Sequence, residues 1–276
     1  MGLSTLLGCR PQGWFIPYRY AAAVAEPAAY PALEAYFADA EPEMADFLAA
    51  IDGFAADLDA IGAGSASAAK PPAQPAPRWD QGWFPRLDAA AAYTMVRRQK
   101  PSRIVEIGSG HSTRFMARAI ADGGLATDMV AIDPAPRADI AGLGLRHVAA
   151  TLHDADPSAI AALGAGDILF IDSSHILMPG TDVDYLLNTV WPSLPAGVLV
   201  HIHDMLLPDG YPDIWSWRGY NEQSAVAPLL TGGAAKPLFA SHYAATRMAA
   251  AVAATVAGRL PLIAGAVETS LWIEKN

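Results

Sequence analysis

The chain has 276 residues, enough for one large domain or one domain with a small appendage. Apolar residues make up 53%, but alanine supplies much of that share, and the longest nearly unbroken apolar run, Met248 to Ala257, is too short to span a bilayer. A formal charge of −10 excludes a general nucleic-acid binder, whose phosphate contacts need a basic surface. Cys9 is the sole cysteine, so no internal disulfide forms. Together with the poor secretory signal at Leu3–Leu7, this predicts a cytoplasmic protein.

Residues 1–30 carry Trp14, Phe15, Pro17, Tyr18 and Tyr20 without a period, which predicts irregular structure and some helix. Over 42–61 the spacing turns helical, with Met44, Phe47, Leu48, Ile51, Phe54, Leu58 and Ile61 on one stripe. That stripe must bury against the main domain or against a second subunit in a homo-oligomer. Residues 62–78, rich in Gly, Ala, Ser and Pro, read as a linker. The organisation expected is therefore a helical extension over 1–61, the linker, and a main domain over 79–276. Asp88 reads as the N-cap of a helix running to about Gln99, which Pro101 ends.

From 103 onward strands and helices alternate. Strands are predicted near 103–108, 128–133, 145–149, 167–172 and 197–203, with helices near 112–122, 136–142, 156–163 and 181–191. The tail adds strands near 237–243 and 270–274 around a helix over 245–258. This is an α/β chain with a doubly wound, mostly parallel, seven-stranded Rossmann-like sheet and an N-terminal helical extension.

Ligands on such a sheet bind beyond the carboxyl ends of its strands. Those ends are polar here. Strand one ends in Glu106-Ile-Gly-Ser-Gly-His-Ser112, strand two in Asp133-Pro134 and strand three leads to Thr151-Leu-His-Asp154. Strand four ends in Asp172-Ser-Ser-His175, and strand five in His201-Ile-His-Asp204. A Gly-x-Gly turn opening a helix, with an acid after the next strand, is the layout of a nucleoside-cofactor site. A hydride-transfer fold wants a third glycine where Thr113 stands, and Glu106 would repel a pyrophosphate. Glu106 suits instead a cofactor with a positive amino-acid end.

These motifs resemble motif I and the following acidic motif of the class I S-adenosylmethionine-dependent methyltransferases. Phe170-Ile-Asp-Ser-Ser-His175 and Gly197-Val-Leu-Val-His-Ile-His-Asp204 are similar to a bacterial subgroup of that superfamily, as are Leu207-Pro-Asp-Gly-Tyr-Pro212 and Tyr220-Asn-Glu-Gln223. The resemblance implies that Gly108, Ser109 and Gly110 pass under the methionine part of S-adenosylmethionine. Glu106 would then reach its ammonium through water, Asp133 its ribose and Asp154 its adenine. Ser112, opening the helix, and Asp172, ending strand four, complete the cofactor-facing set.

Asp172, His203 and Asp204 are expected to converge, because they end neighbouring strands. The layout resembles catechol O-methyltransferase and related enzymes, in which a divalent metal held by acids acidifies a substrate hydroxyl. Here the last pair is His-Asp, so either a metal sits on Asp172, His203 and Asp204, or His175 or His203 acts as general base. His201, deeper in the strand, reads as structural. The aromatic loop from Leu206 to Gln223 is placed as a lid or acceptor pocket, and Glu222 in it could cap a helix or face that pocket. The function expected is methyl transfer to a hydroxyl of a small molecule, with no nucleic-acid or membrane partner. The alternatives are a metal-dependent oxygenase and a non-catalytic cofactor-binding protein on the same scaffold.

Overall fold

The computed structural model describes residues 3–4, 7–9, 19–20, 23, 29–62 and 75–276. The irregular segment expected around Trp14 to Tyr18 and most of the expected linker, 63–74, lie outside the described residues.

Three N-terminal helices come first: α1 (Pro31–Asp39), α2 (Glu41–Asp52) and α3 (Ala55–Ala60). The stripe over 42–61 thus forms two helices where one is expected, because the chain turns at Gly53 and Phe54. Next come α4 (Arg86–Gln99), β1 (Arg103–Ile107), α5 (His111–Gly123), β2 (Asp128–Ile132), β3 (Arg146–Val148), α6 (Ser158–Ala161) and β4 (Ile168–Ile171). The helix after β4 is α7 (Asp182–Tyr185), a π turn (Leu186–Val190) and α8 (Trp191–Ser193), followed by β5 (Leu199–Ile202). A 3-10 segment (Asp213–Arg218), α9 (Glu222–Thr231), β6 (Ala235–Ala240), α10 (Ser241–Arg247), α11 (Ala249–Ala253) and β7 (Leu271–Lys275) complete the order.

Four expectations change. The stretch 136–142 is not helical: Pro134 and Pro136 start it, Asp139 accepts the N–H of Ala141, and Gly142 and Gly144 take left-handed backbone. The tail helix begins earlier, at Ser241, and is broken near Met248, so the strand before it stops at Ala240. Asp88 lies inside the first turn of α4, and Pro85 precedes the helix instead. Finally, the stripe expected as one helix over 42–61 is divided at Gly53 and Phe54 and packs within this chain, with Phe54 half-buried. Met44, Leu48, Ile51 and Leu58 are fully enclosed, and the Phe47 ring packs 4.9 Å from that of Phe239 in β6.

The seven strands form one sheet in the order β3-β2-β1-β4-β5-β7-β6. β1 to β5 run parallel, while β7 is antiparallel to both β5 and β6. Strands buried on both faces read as continuous apolar runs, as Ile168-Leu-Phe-Ile171 does. The order reverses at β1 and β4, which splays the following loops apart and opens a crevice beyond the strand ends. Among the described residues, no helix is long and apolar enough to cross a membrane.

Candidate functional site

The crevice holds a cavity of about 770 Å³, within the range of small-molecule sites. Gly108, Ser109, Gly110, Ser112, Asp133, Asp172, His175, His203 and Asp204 all line it. Glu106 and Asp154 do not.

The floor is the turn after β1. Gly108 has φ +76°, and a Cβ there would collide with the carbonyl oxygen of Asp172. Backbone therefore packs on backbone where β1 and β4 end, which only glycine permits. Ser109 donates from its N–H and its hydroxyl to Asp133 Oδ2, at 2.7 and 2.9 Å, tying the first strand end to the second. Asp133 Oδ1 accepts only the Ala135 N–H, at 2.8 Å, so this oxygen keeps capacity for a ligand hydroxyl.

Glu106 sits beneath that turn. Its two oxygens accept the hydroxyls of Ser112, at 2.6 Å, and Thr113, at 2.7 Å, while Thr113 Oγ1 accepts the N–H of Gly110 at 2.8 Å. Burial pushes its carboxyl up to about 8, against the opposing pull of the two hydroxyls. Glu106 thus shapes the glycine turn from below. Asp154 is exposed and accepts the Thr151 hydroxyl at 2.7 Å. It closes a local turn away from the cavity, so the adenine contact expected of it is absent from the geometry.

Opposite the turn lies a cluster of buried charges. His175 and Asp204 both adopt left-handed backbone, with φ 61° and 53°. Such a conformation costs a non-glycine residue about 1 kcal/mol or more, and here it occurs at two neighbouring positions of the site. His175 Nδ1 lies 2.9 Å from Glu222 Oε2. Its Nε2 lies 3.2 Å from Asp172 Oδ1 and 3.5 Å from Asp204 Oδ2. His203 Nδ1 stands 3.6 Å from Asp172 and from Asp204, and its Nε2 stands 3.7 Å from Asp88.

These contacts decide the protonation. Burial alone would lower His175, but the hydrogen bonds it donates to Asp172 and Glu222 override it and push it up to about 10. Burial opposes charge on His203 as well, yet Asp204 and Asp172 raise it well above the usual imidazole range. Enclosure would raise Asp172, whose side chain is 36% exposed, but His203 and His175 hold it well below the usual carboxylate range. The neighbouring carboxylates thus favour the protonated form of both histidines.

Among the described residues, no group of three or more His, Cys, Asp or Glu side chains is arranged to hold a metal ion. His201 is structural, as its position suggests: it is fully buried, stacked 3.7 Å from the Phe170 ring, with Nε2 2.8 Å from Ser270 Oγ.

Four further residues contribute: Glu222, which the sequence leaves open between helix cap and pocket, Asp88, which it gives as a helix N-cap, and Trp83 and Arg137, which it does not single out. Glu222 opens α9 and faces the site, which settles the choice between helix cap and pocket. Asp88 accepts the N–H groups of Thr269 and Ser270 and backs His203. Trp83 and Arg137 line the mouth, with the guanidinium 4.1 Å over the indole. Glu222 lies in a polar run at a helix start and had a local signal. The other three had none, because their partners come from distant segments. The lid expected over 206–223 does line the cavity, through Trp215, Trp217, Arg218 and Tyr220.

Residues 105–205 match a family model described as a methyltransferase domain. No curated protein matches the chain. Among solved structures, the SAH-bound methyltransferase PaMTH1 of Podospora anserina is 14% identical, with 69% of this chain and 78% of that one covered and a TM-score of 0.40. The plantazolicin methyltransferase BpumL, solved with a monoazolic desmethylPZN analog and SAH, is 14% identical, covering 88% of this chain and 99% of its own, with a TM-score of 0.44. CalO1, a methyltransferase in calicheamicin biosynthesis, is 15% identical over 80% of this chain and 71% of its own, with a TM-score of 0.33. The family match runs from β1 past the end of β5, the stretch that carries the turn, Asp133 and the charge cluster, and it supports S-adenosylmethionine-dependent methyl transfer.

Proposed function

We propose that this protein is an S-adenosylmethionine-dependent methyltransferase acting on a hydroxyl group of a small molecule in the cytoplasm, with residues 79–276 as the catalytic domain and 1–61 as an N-terminal extension. One observation carries the reading: the 108–110 turn, Asp133 and the charge cluster open on one cavity, inside the stretch that matches a methyltransferase domain.

The donor set fits the cofactor. Asp133 has acceptor capacity for ribose, and Gly108 and Gly110 leave bare backbone at the turn. When bound, S-adenosylmethionine supplies an activated methyl group on a sulfonium, so the protein need only position, desolvate and manage a proton. Asp172 is the most open carboxylate of the cluster and accepts the hydrogen bond of an incoming hydroxyl. His175 and His203 keep their protons and act as fixed cations that favour negative charge on that oxygen. The proton passes to an Asp172 oxygen and on to water at the mouth.

Calorimetric titration with S-adenosylmethionine and NAD in parallel, followed by labelled-methyl transfer to a panel of hydroxylated small molecules, tests the proposal. Binding of S-adenosylmethionine alone and label in a methyl ether are expected. Binding of NAD alone, or an empty crevice in both titrations, sinks it.

A further inference from the structure

Two arginines lie flat on tryptophan rings at the cavity. Arg218 is 4.1 Å over Trp215, and Arg137 is 4.1 Å over Trp83. They differ in commitment. Arg218 has Asp204 at 3.6 Å. Arg137 makes no ion pair and no side-chain hydrogen bond among the described residues, and the only acid outside them is Glu26. A guanidinium stacked on an indole has its plane fixed and its edge N–H groups free, the arrangement that grips a carboxylate through two parallel bonds.

The surroundings of Arg137 favour an anion. His111, beside it on the cavity wall, is 7% exposed and its Nδ1 has no partner. Burial, then Arg114, Arg78 and Arg137, push His111 down to about 4, so the ring is neutral and offers no counter-charge. In a chain of net charge −10, this wall of the cavity is locally cationic, while the opposite wall holds Asp172 and Asp204. Trp83 is 54% exposed, a large apolar face at the mouth with only the guanidinium on it. An indole left this open beside an unpaired cation matches a ligand that is flat, apolar and anionic at one edge.

We propose that the Arg137–Trp83 pair recognises a carboxylate carried on an aromatic acceptor, so that the substrate class is a hydroxyaryl carboxylic acid. The inference rests on the methyl-transfer reading for the identity of the site. The acceptor's ring lies along Trp83, its carboxylate meets the Arg137 fork, and its hydroxyl points toward the Asp172 wall.

The test uses the full chain, with 4-hydroxybenzoate and its neutral analogue 4-hydroxybenzamide as probes, and begins by titrating SAH. Absence of SAH binding defeats the methyl-transfer reading, and the two probes are then titrated into the protein as it stands, so the two failures stay separate. With SAH bound, the acid is expected to bind about tenfold tighter than the amide, the scale of one charge-assisted bidentate contact. Arg137→Gln is expected to erase that gap while leaving SAH affinity within about threefold, because the backbone N–H of residue 137, which bonds the Ser109 carbonyl, is kept. Trp83→Ala is expected to weaken both probes alike. Equal or undetectable binding of the two probes by the wild type overturns the proposal, as does a gap that survives Arg137→Gln. A loss of SAH affinity in that variant assigns the guanidinium to the cofactor's own carboxylate and overturns it too.

Discussion

Glu222 Oε2 lies 2.9 Å from His175 Nδ1, and the two side chains are 1% and 4% exposed. One opens α9 and the other stands in the loop after β4, so this contact closes the aromatic lid segment over the strand ends. A buried pair of this kind is costly to split, because removing one partner strands the other charge, typically at about 3–5 kcal/mol.

Glu222→Gln should therefore lower the His175 titration from about 10 toward neutrality and reduce stability by about 3 kcal/mol. NMR titration of the His175 ring and urea unfolding read the two effects. A His175 titration identical to wild type would show that Glu222 does not hold its proton.

The charge cluster also sets a pH window. His175 and His203 are raised above their unfolded values, so their contribution is complete below about 6.5 and is lost as pH rises through the folded values, about 10 for His175. Asp172 is depressed, so its contribution is complete above about 3.8 and is lost only in stronger acid. The histidine contribution to the thermal midpoint should therefore hold up to about pH 6.5 and decline toward pH 10. In His175→Gln the alkaline decline should be shallower. An equal slope in both proteins removes His175 from the linkage.

Glu106 supplies an opposite comparison. Its carboxyl is raised from 4.5 to about 8, so the folded state prefers it protonated, and stability falls as pH climbs through that interval. Glu106→Gln is permanently neutral and lacks that fall. Relative to wild type, the variant should become steadily more favourable between pH 5 and pH 9, read as the difference in urea midpoints. Glu106→Ala should instead lose about 1–3 kcal/mol at every pH, because the Ser112 and Thr113 hydroxyls lose their acceptor.

Gly108→Ala combines a left-handed backbone with a collision against the Asp172 carbonyl. The conformational term alone is about 1–2 kcal/mol, and relieving the collision must part β1 from β4. S-adenosylmethionine affinity should fall more than about tenfold while the far edge of the sheet keeps its hydrogen-exchange protection. Unchanged affinity would mean that the turn is not the cofactor's floor.

Phe47→Ala examines the N-terminal helices. The ring is buried 4.9 Å from Phe239, so its loss should cost about 3–5 kcal/mol in a single unfolding transition. Two separate transitions, with the second unaffected, would show that α1 to α3 are an independent unit.

Much of the fold was legible from local pattern. The five parallel strands fall within a residue or two of their predicted spans, and β1, β2 and β4 are apolar runs ended by a glycine or an acid. The stretch at 136–142 was not, since its apolar residues suggest a helix while Asp139 and two left-handed glycines hold a loop. At the site, strand alternation placed Asp172, His203 and Asp204 together. What it could not provide was protonation. That depends on Glu222 and Asp88, which reach the histidines from 47 residues beyond His175 and from the far side of the sheet respectively. Whether an imidazole serves as base, ligand or cation is decided by its neighbours, and neighbours are a property of the folded chain.

β7 lies between β5 and β6 although it follows both in sequence. Until residues 271–275 arrive, β6 has no strand to pair with, and the β5 edge beside His201 stands open. Thr269 and Ser270, which lead into β7, are also the groups that Asp88 holds behind His203. As the ribosome delivers the chain from its amino end, the half of the sheet that bears the glycine turn can assemble early, whereas the half that bears the charge cluster waits for the last strand. A nascent chain stalled before that point would display two unpaired edges and an unsupported His203, a form that chaperones would be expected to hold and proteases to cut.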